Sequence, residues 1–170
     1  VYDIIFDDNK ELESFKIIDE NDTPQGEKWY AYSQIVPPRA WFNNETYVDA
    51  FSKEALDKFI EITHERYKNI VGDMFGSVVP TIFTDEILYS PIFLQTKSGS
   101  GDAYLPWSII MAEKFKEEFG SEIYDILPEA VWELSGRRKS ANRILLHDFW
   151  QRLFNTAFLK NVGEWCGNNG

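Results

Sequence analysis

The sequence holds a single cysteine, Cys166, among 170 residues. That excludes an internal disulfide framework and any zinc site built from several cysteines. Basic residues are also scarce: 17 Lys and Arg against 28 Asp and Glu leave a net charge of −11. Binding a phosphate backbone needs a basic field, so no nucleic-acid partner is expected, and no anionic membrane surface for the same reason. No apolar run approaches the roughly 20 residues that span a bilayer. The opening residues lack an initiator Met and a signal-like pattern, which leaves the compartment unread. There is no internal repeat and no clean interdomain linker, and no metal or other cofactor is expected.

What is present points to a packed core. Hydrophobic residues make up 44% and aromatics 16%, with six Trp, which argues against disorder and fits one ordinary domain. Val1 to Phe6 and Ser14 to Ile18 are short β-type runs separated by the polar DDNKELE. A second polar bridge, DENDTPQGE, leads into KWYAYSQIV, a β-branched and aromatic run that Pro37-Pro38 stops. Residues 1–27 therefore form a β-hairpin elaboration. From Ser52 the period changes: Leu56, Phe59, Ile60, Thr63, Tyr67, Ile70 and Val71 fall at helical spacing, with Ser52 as N-cap and Gly72 as terminator. VVPTIFTDE, Val78 to Glu86, reads as a buried strand ending in two carboxylates. A helix near Ile109 to Phe119 stops at Gly120, LPEAVWEL adds a short helical piece, and the longest helix runs from near Ser140 to Trp165 or Cys166.

Strand and helix in alternation imply parallel β/α units, and residues 28–170 supply about two of them. The final GNNG has the composition of a helix-to-strand turn. The expectation is a single segment of a larger α/β domain, a partial (β/α)₈ barrel; the alternative is a small self-contained α/β domain with a hairpin edge. In parallel α/β folds the functional face lies at the C-terminal ends of the strands. That rule groups Asp85 and Glu86 with the loop bearing Arg39, Trp41, Asn43, Asn44, Tyr47 and Asp49. It adds the start of the last helix, with Arg143 and His147, and Trp107 from the long loop. Rings stack on sugar faces while Asn and Asp bind hydroxyls, so the set fits a carbohydrate substrate.

Several segments, YVDAFSKEALDKFIEITHERY, VVPTIFTDE, LPW, HDFW and GEWCGNNG, together resemble a group of bacterial glycosyl hydrolases with a (β/α)₈ catalytic domain. Some members of that group are described as α-L-rhamnosidase-like. The resemblance covers roughly residues 29–170 and has one departure: Ile87 stands where such sequences usually carry Pro. It implies hydrolysis of glycosidic bonds between two carboxyl groups, spaced about 5 Å in retaining enzymes and about 6.5–9.5 Å in inverting ones. Glu86 is then the general acid or acid/base and Asp85 a hydrogen-bonding neighbour, since alternation along a strand keeps both from pointing inward. The partner carboxylate is expected downstream of Gly170, so the chain alone is expected to be inactive, with exposed edges that favour self-association unless the rest of the barrel covers them.

Other readings stand beside this one. The chain is alternatively a carbohydrate-binding or inactive glycosidase-like domain, or an α/β interaction domain that its acidic surface keeps soluble. Acidic residues at a strand end are commonly just solvated, and Trp41 and Trp107 are equally suited to packing loops. Arg143 and His147 favour structural roles, as does His64 on the apolar stripe of its helix, which lacks the second His of a zinc helix. Asp148 is spaced to pair with Arg152. KSGSGD is a lid or tether and not a phosphate loop, and Cys166 is expected to be buried and inert.

Overall fold

The computed structural model describes residues 1–85, 87 and 101–170. The chain divides into two compact units, one of Val1–Gln34 and Ser90–Phe149 and the other of Ile35–Tyr89 and Trp150–Gly170. The class is mixed α/β.

In the first unit, β1 (Tyr2–Phe6), β2 (Leu12–Ile17) and β3 (Glu27–Trp29) form a sheet of order β2-β1-β3, antiparallel throughout. The expected hairpin is therefore present. Its turn is held by Asp7, whose carboxylate accepts the amides of Asn9 and Glu11 at 2.9 and 3.0 Å. Alternation along β1 puts Tyr2, Ile4 and Phe6 on one face, where they pack with Leu12, Val131 and Trp132. The Trp132 ring stands edge-on to Trp29 at 4.8 Å and to Phe6 at 5.5 Å. Asp3 points to the other face. It is buried, and it accepts the amides of Gln25 and Gly26 at 2.9 and 2.8 Å, with Lys16 at 3.4 Å.

Among the described residues, the α-helices of this unit are α3 (Met111–Phe119), the short α4 (Pro128–Val131) and α5 (Ala141–Phe154) as far as Phe149. Gly120 ends α3 in the left-handed region (φ 70°), where a residue without a Cβ fits best. Phe115 of α3 meets Phe149 of α5 edge-on at 5.2 Å, and both are buried.

In the second unit the helical stripe after Ser52 forms, but as two helices, α1 (Lys53–Ile62) and α2 (His64–Val71). The Ser52 hydroxyl accepts the Ala55 amide at 3.2 Å, the expected N-cap. The break lies at Thr63 (φ −112°, ψ −70°), whose hydroxyl donates to the Phe59 carbonyl at 2.6 Å. Beyond Phe154 the helical path continues as a π-helical segment, Asn155–Lys160, and then α6 (Asn161–Asn169). The widened turn presents Ala157 and Phe158 to Leu56 of α1. Asn161 reinforces this contact by donating to Asp57 at 2.7 Å.

Two strand expectations are corrected. KWYAYSQIV is a strand only as far as Trp29; Tyr30, Tyr32 and Ile35 beyond it are exposed. Val78–Thr84 is not a buried parallel strand. It is irregular apart from one bridge between Phe75 and Val79, and Val78 and Phe83 are 74% and 82% exposed. The run has β-type composition, but Pro80 removes a donor and no described strand lies alongside to pair with it. Among the described residues β3 pairs with β1 alone, and antiparallel.

Candidate functional site

The candidate residues that cluster most closely lie in the turn between Arg39 and Tyr47 of the second unit. Arg39 and Glu45 close it as an antiparallel bridge, and the Arg39 carbonyl accepts the amides of both Phe42 and Asn44 at 2.9 Å. The chain reverses through Asn43 and Asn44, both left-handed at φ 57° and 61°. Asparagine tolerates that region better than most residues, and this is why two of them stand here. Thr46 ties down the base by donating to the Val36 carbonyl at 2.6 Å. Behind the turn, Phe42 and Tyr47 pack ring on ring at 4.9 Å. Trp41 sits on a single turn of 3-10 helix, Ala40–Phe42, and is 89% exposed. The result is an indole presented to solvent on a braced turn, with two exposed amides next to it.

The remaining candidates of this unit are placed differently. Asp49 is engaged in building the approach to α1: its carboxylate accepts the Phe51 amide at 3.0 Å and its carbonyl the Ser52 amide at 3.2 Å. Asp85 is exposed on irregular backbone and not at a strand end. Glu86 lies outside the described residues, as do Lys97 to Ser100 of the KSGSGD loop. Ile87, the departure from the family pattern, packs partly buried on the cluster of Leu56, Ala157 and Phe158.

Trp107, Arg143 and His147 belong to the first unit. Trp107 is half-buried against Tyr124, with ring centroids 5.9 Å apart. Arg143 is committed to the fold. Its Nε donates to the Glu129 carbonyl at 2.8 Å, and its two terminal nitrogens bond the Trp132 carbonyl and the Glu133 carboxylate. His147 is one turn further along α5. Partial desolvation of its ring, and then the Arg143 cation, hold its imidazole below the ordinary histidine range.

Two polar centres have no counterpart among the sequence candidates. Asp3 was signalled by a charge inside the apolar run YDIIF. Glu129 accepts from the Ser140 hydroxyl at 2.5 Å and from the Asn142 amide at 2.8 Å, while Ser140 in turn accepts the Arg143 amide at 2.8 Å. Both centres stabilise structure. Among the described residues, no group of three or more His, Cys, Asp or Glu side chains is placed to hold a metal ion, and no helix is long and apolar enough to cross a membrane. A cavity of about 60 Å³ between Phe75, Pro80, Ile82, Trp165 and Cys166 has room for a few waters and not for a sugar ring.

No family model, curated protein or solved structure matches this sequence.

Proposed function

We propose that this chain is a carbohydrate-contacting part of a glycoside hydrolase, in which Trp41 is a sugar platform and Glu86 the general acid. The observation that carries the reading is the exposed Trp41 indole on its braced turn, with Asn43 and Asn44 beside it. An exposed indole offers a broad apolar face with a polar N–H at its edge, which a ligand with both kinds of surface can cover. A pyranose suits such a ring, since its C–H face packs on the indole while its hydroxyls reach neighbouring amides. The chemistry assigned to Glu86 rests on the T-D-E resemblance and on the need of glycosidic cleavage for a proton donor at the leaving oxygen.

In the same proposal the domain is of the (β/α)₈ type. Val78, Ile82 and Phe83 are exposed apolar residues where the resemblance puts a barrel strand, and flanking strands of the complete domain would cover them. A second reading, carbohydrate binding without turnover, is favoured by Trp41 alone, because a platform needs no carboxylate.

Glu86→Gln in the complete protein separates the two. Hydrolysis lost with saccharide affinity retained supports the glycosidase; unchanged hydrolysis rejects Glu86 as the acid. Saccharide binding with no turnover in the unsubstituted protein selects the binding domain.

A further inference from the structure

At the break between α1 and α2, the Thr63 hydroxyl lies 2.6 Å from the Phe59 carbonyl and 2.7 Å from Nδ1 of His64. A carbonyl can only accept, so the single hydroxyl hydrogen is spent on Phe59. Toward the imidazole the Thr63 oxygen then offers lone pairs alone, and Nδ1 must carry the ring proton. Nε2 is left unprotonated. It is buried and has no hydrogen-bond partner among the described residues, in a side chain that is itself buried. Aromatic edges enclose the ring: Phe59 of α1 at 5.6 Å and Trp165 of α6 at 5.0 Å.

We propose that His64 is an acid-sensitive latch of the second unit, seated as its neutral Nδ1–H tautomer and driven from its aromatic seat when Nε2 takes up a proton. Protonation would bury a cation and a second N–H donor with no acceptor in reach among the described residues. The charges around the ring relieve this only in part, through Glu65. Glu65 accepts the Trp165 indole N–H at 2.6 Å and faces Lys68 at 3.8 Å. On α6, Glu164 faces Lys160 at 3.8 Å and Cys166 adjoins Trp165. On α1, Lys58 and Glu61 pair with each other at 2.6 Å. Leaving the seat removes the ring from Trp165 and frees the first turn of α2.

The direction of titration agrees. Burial holds the His64 imidazole below the ordinary histidine value, against a smaller opposing pull from Glu65. The native state thus binds this proton less tightly than the unfolded chain. The stability from seating neutral His64 is complete above the ordinary histidine value, about 6.5. It falls as pH drops from there toward the native value.

The chain has only two histidines, so ¹⁵N-histidine labelling with His147→Gln for assignment gives a readable spectrum. At pH 8 the proposal expects a protonated Nδ1 and a bare Nε2 on His64. On acidification it expects His64 to titrate below pH 6.5, together with loss of amide protection in α2 and α6. His64→Phe, which fills the seat without a titratable group, should keep that protection at pH 5. An Nε2–H tautomer, or titration without loss of protection, would overturn the latch. So would loss of protection in His64→Phe at the same pH as in the parent. Should that variant not fold, the tautomer and the coupled titration of the unsubstituted chain decide alone.

Discussion

The Gly26 amide donates to the buried Asp3 carboxylate at 2.8 Å, at a position where a Cβ would lie 2.1 Å from the Ile4 carbonyl oxygen. The loop before β3 is thus locked to the middle strand by a contact only glycine can make. Backbone is on both sides of the clash, so neither partner can swing away. Gly26→Ala is expected to destabilise the first unit by about 1–3 kcal/mol, read as a lower chemical-denaturation midpoint. An unchanged midpoint would mean that the loop is not locked.

Asp3 also sets a pH dependence. The backbone donors Gln25 and Gly26, and then Lys16, hold its carboxyl below the ordinary aspartate value despite an opposing desolvation. The unfolded chain therefore binds this proton more tightly. The stabilisation is complete above the ordinary aspartate value of about 4 and is lost as pH falls through the lower native value. Asp3→Asn should flatten the acid limb of stability against pH, while the parent loses stability below about pH 4.

Arg143 should behave as a clamp. It bonds two main-chain carbonyls and one carboxylate around the end of α4. Arg143→Met is expected to cost about 2–4 kcal/mol, because two inward-facing carbonyls lose a charged donor. Arg143→Lys should recover little of this, since an ammonium cannot reproduce the planar fork. Full rescue by lysine, measured by thermal melting, would show that charge alone is sufficient.

Ser140 links that clamp to the helix it starts. Its hydroxyl accepts the Arg143 amide and donates to Glu129, so Ser140→Ala removes a cap and takes one of two side-chain donors from that carboxylate, leaving Asn142. A loss of about 1–2 kcal/mol is expected. Ser140→Thr, which keeps the hydroxyl, should lose less in the same denaturation experiment.

Much of this was legible in the sequence wherever the signal is local. Ser52 and Gly120 cap helices as their neighbourhoods imply, and the β-type run from Val1 to Phe6 gives the first hairpin strand. Thr63 was less readable: its place in an apolar stripe conceals a hydroxyl that competes for the Phe59 carbonyl. The two later strand assignments, beyond Trp29 and over Val78–Thr84, failed for a different reason. Val78–Thr84 has strand composition, but pairing needs a neighbour, and composition does not show whether one is there. Asp49 illustrates the limit for sites, since its residue type suits a sugar site yet its carboxylate holds the Phe51 amide, and nothing in a linear pattern separates the two uses. Arg143 has the structural role that its sequence context favours, bonding main-chain carbonyls.

The proposal's most direct test is a saccharide titration of the chain followed on the Trp41 indole N–H resonance, repeated with Trp41→Ala. Because the ring is 89% exposed, that substitution should change stability by no more than about 0.5 kcal/mol. The account predicts that a monosaccharide or short oligosaccharide shifts the Trp41 resonance, and that Trp41→Ala weakens binding at least tenfold, about 1.4 kcal/mol, with the fold intact. Equal binding by Trp41→Ala, or a Trp41 resonance that no saccharide moves, would contradict it.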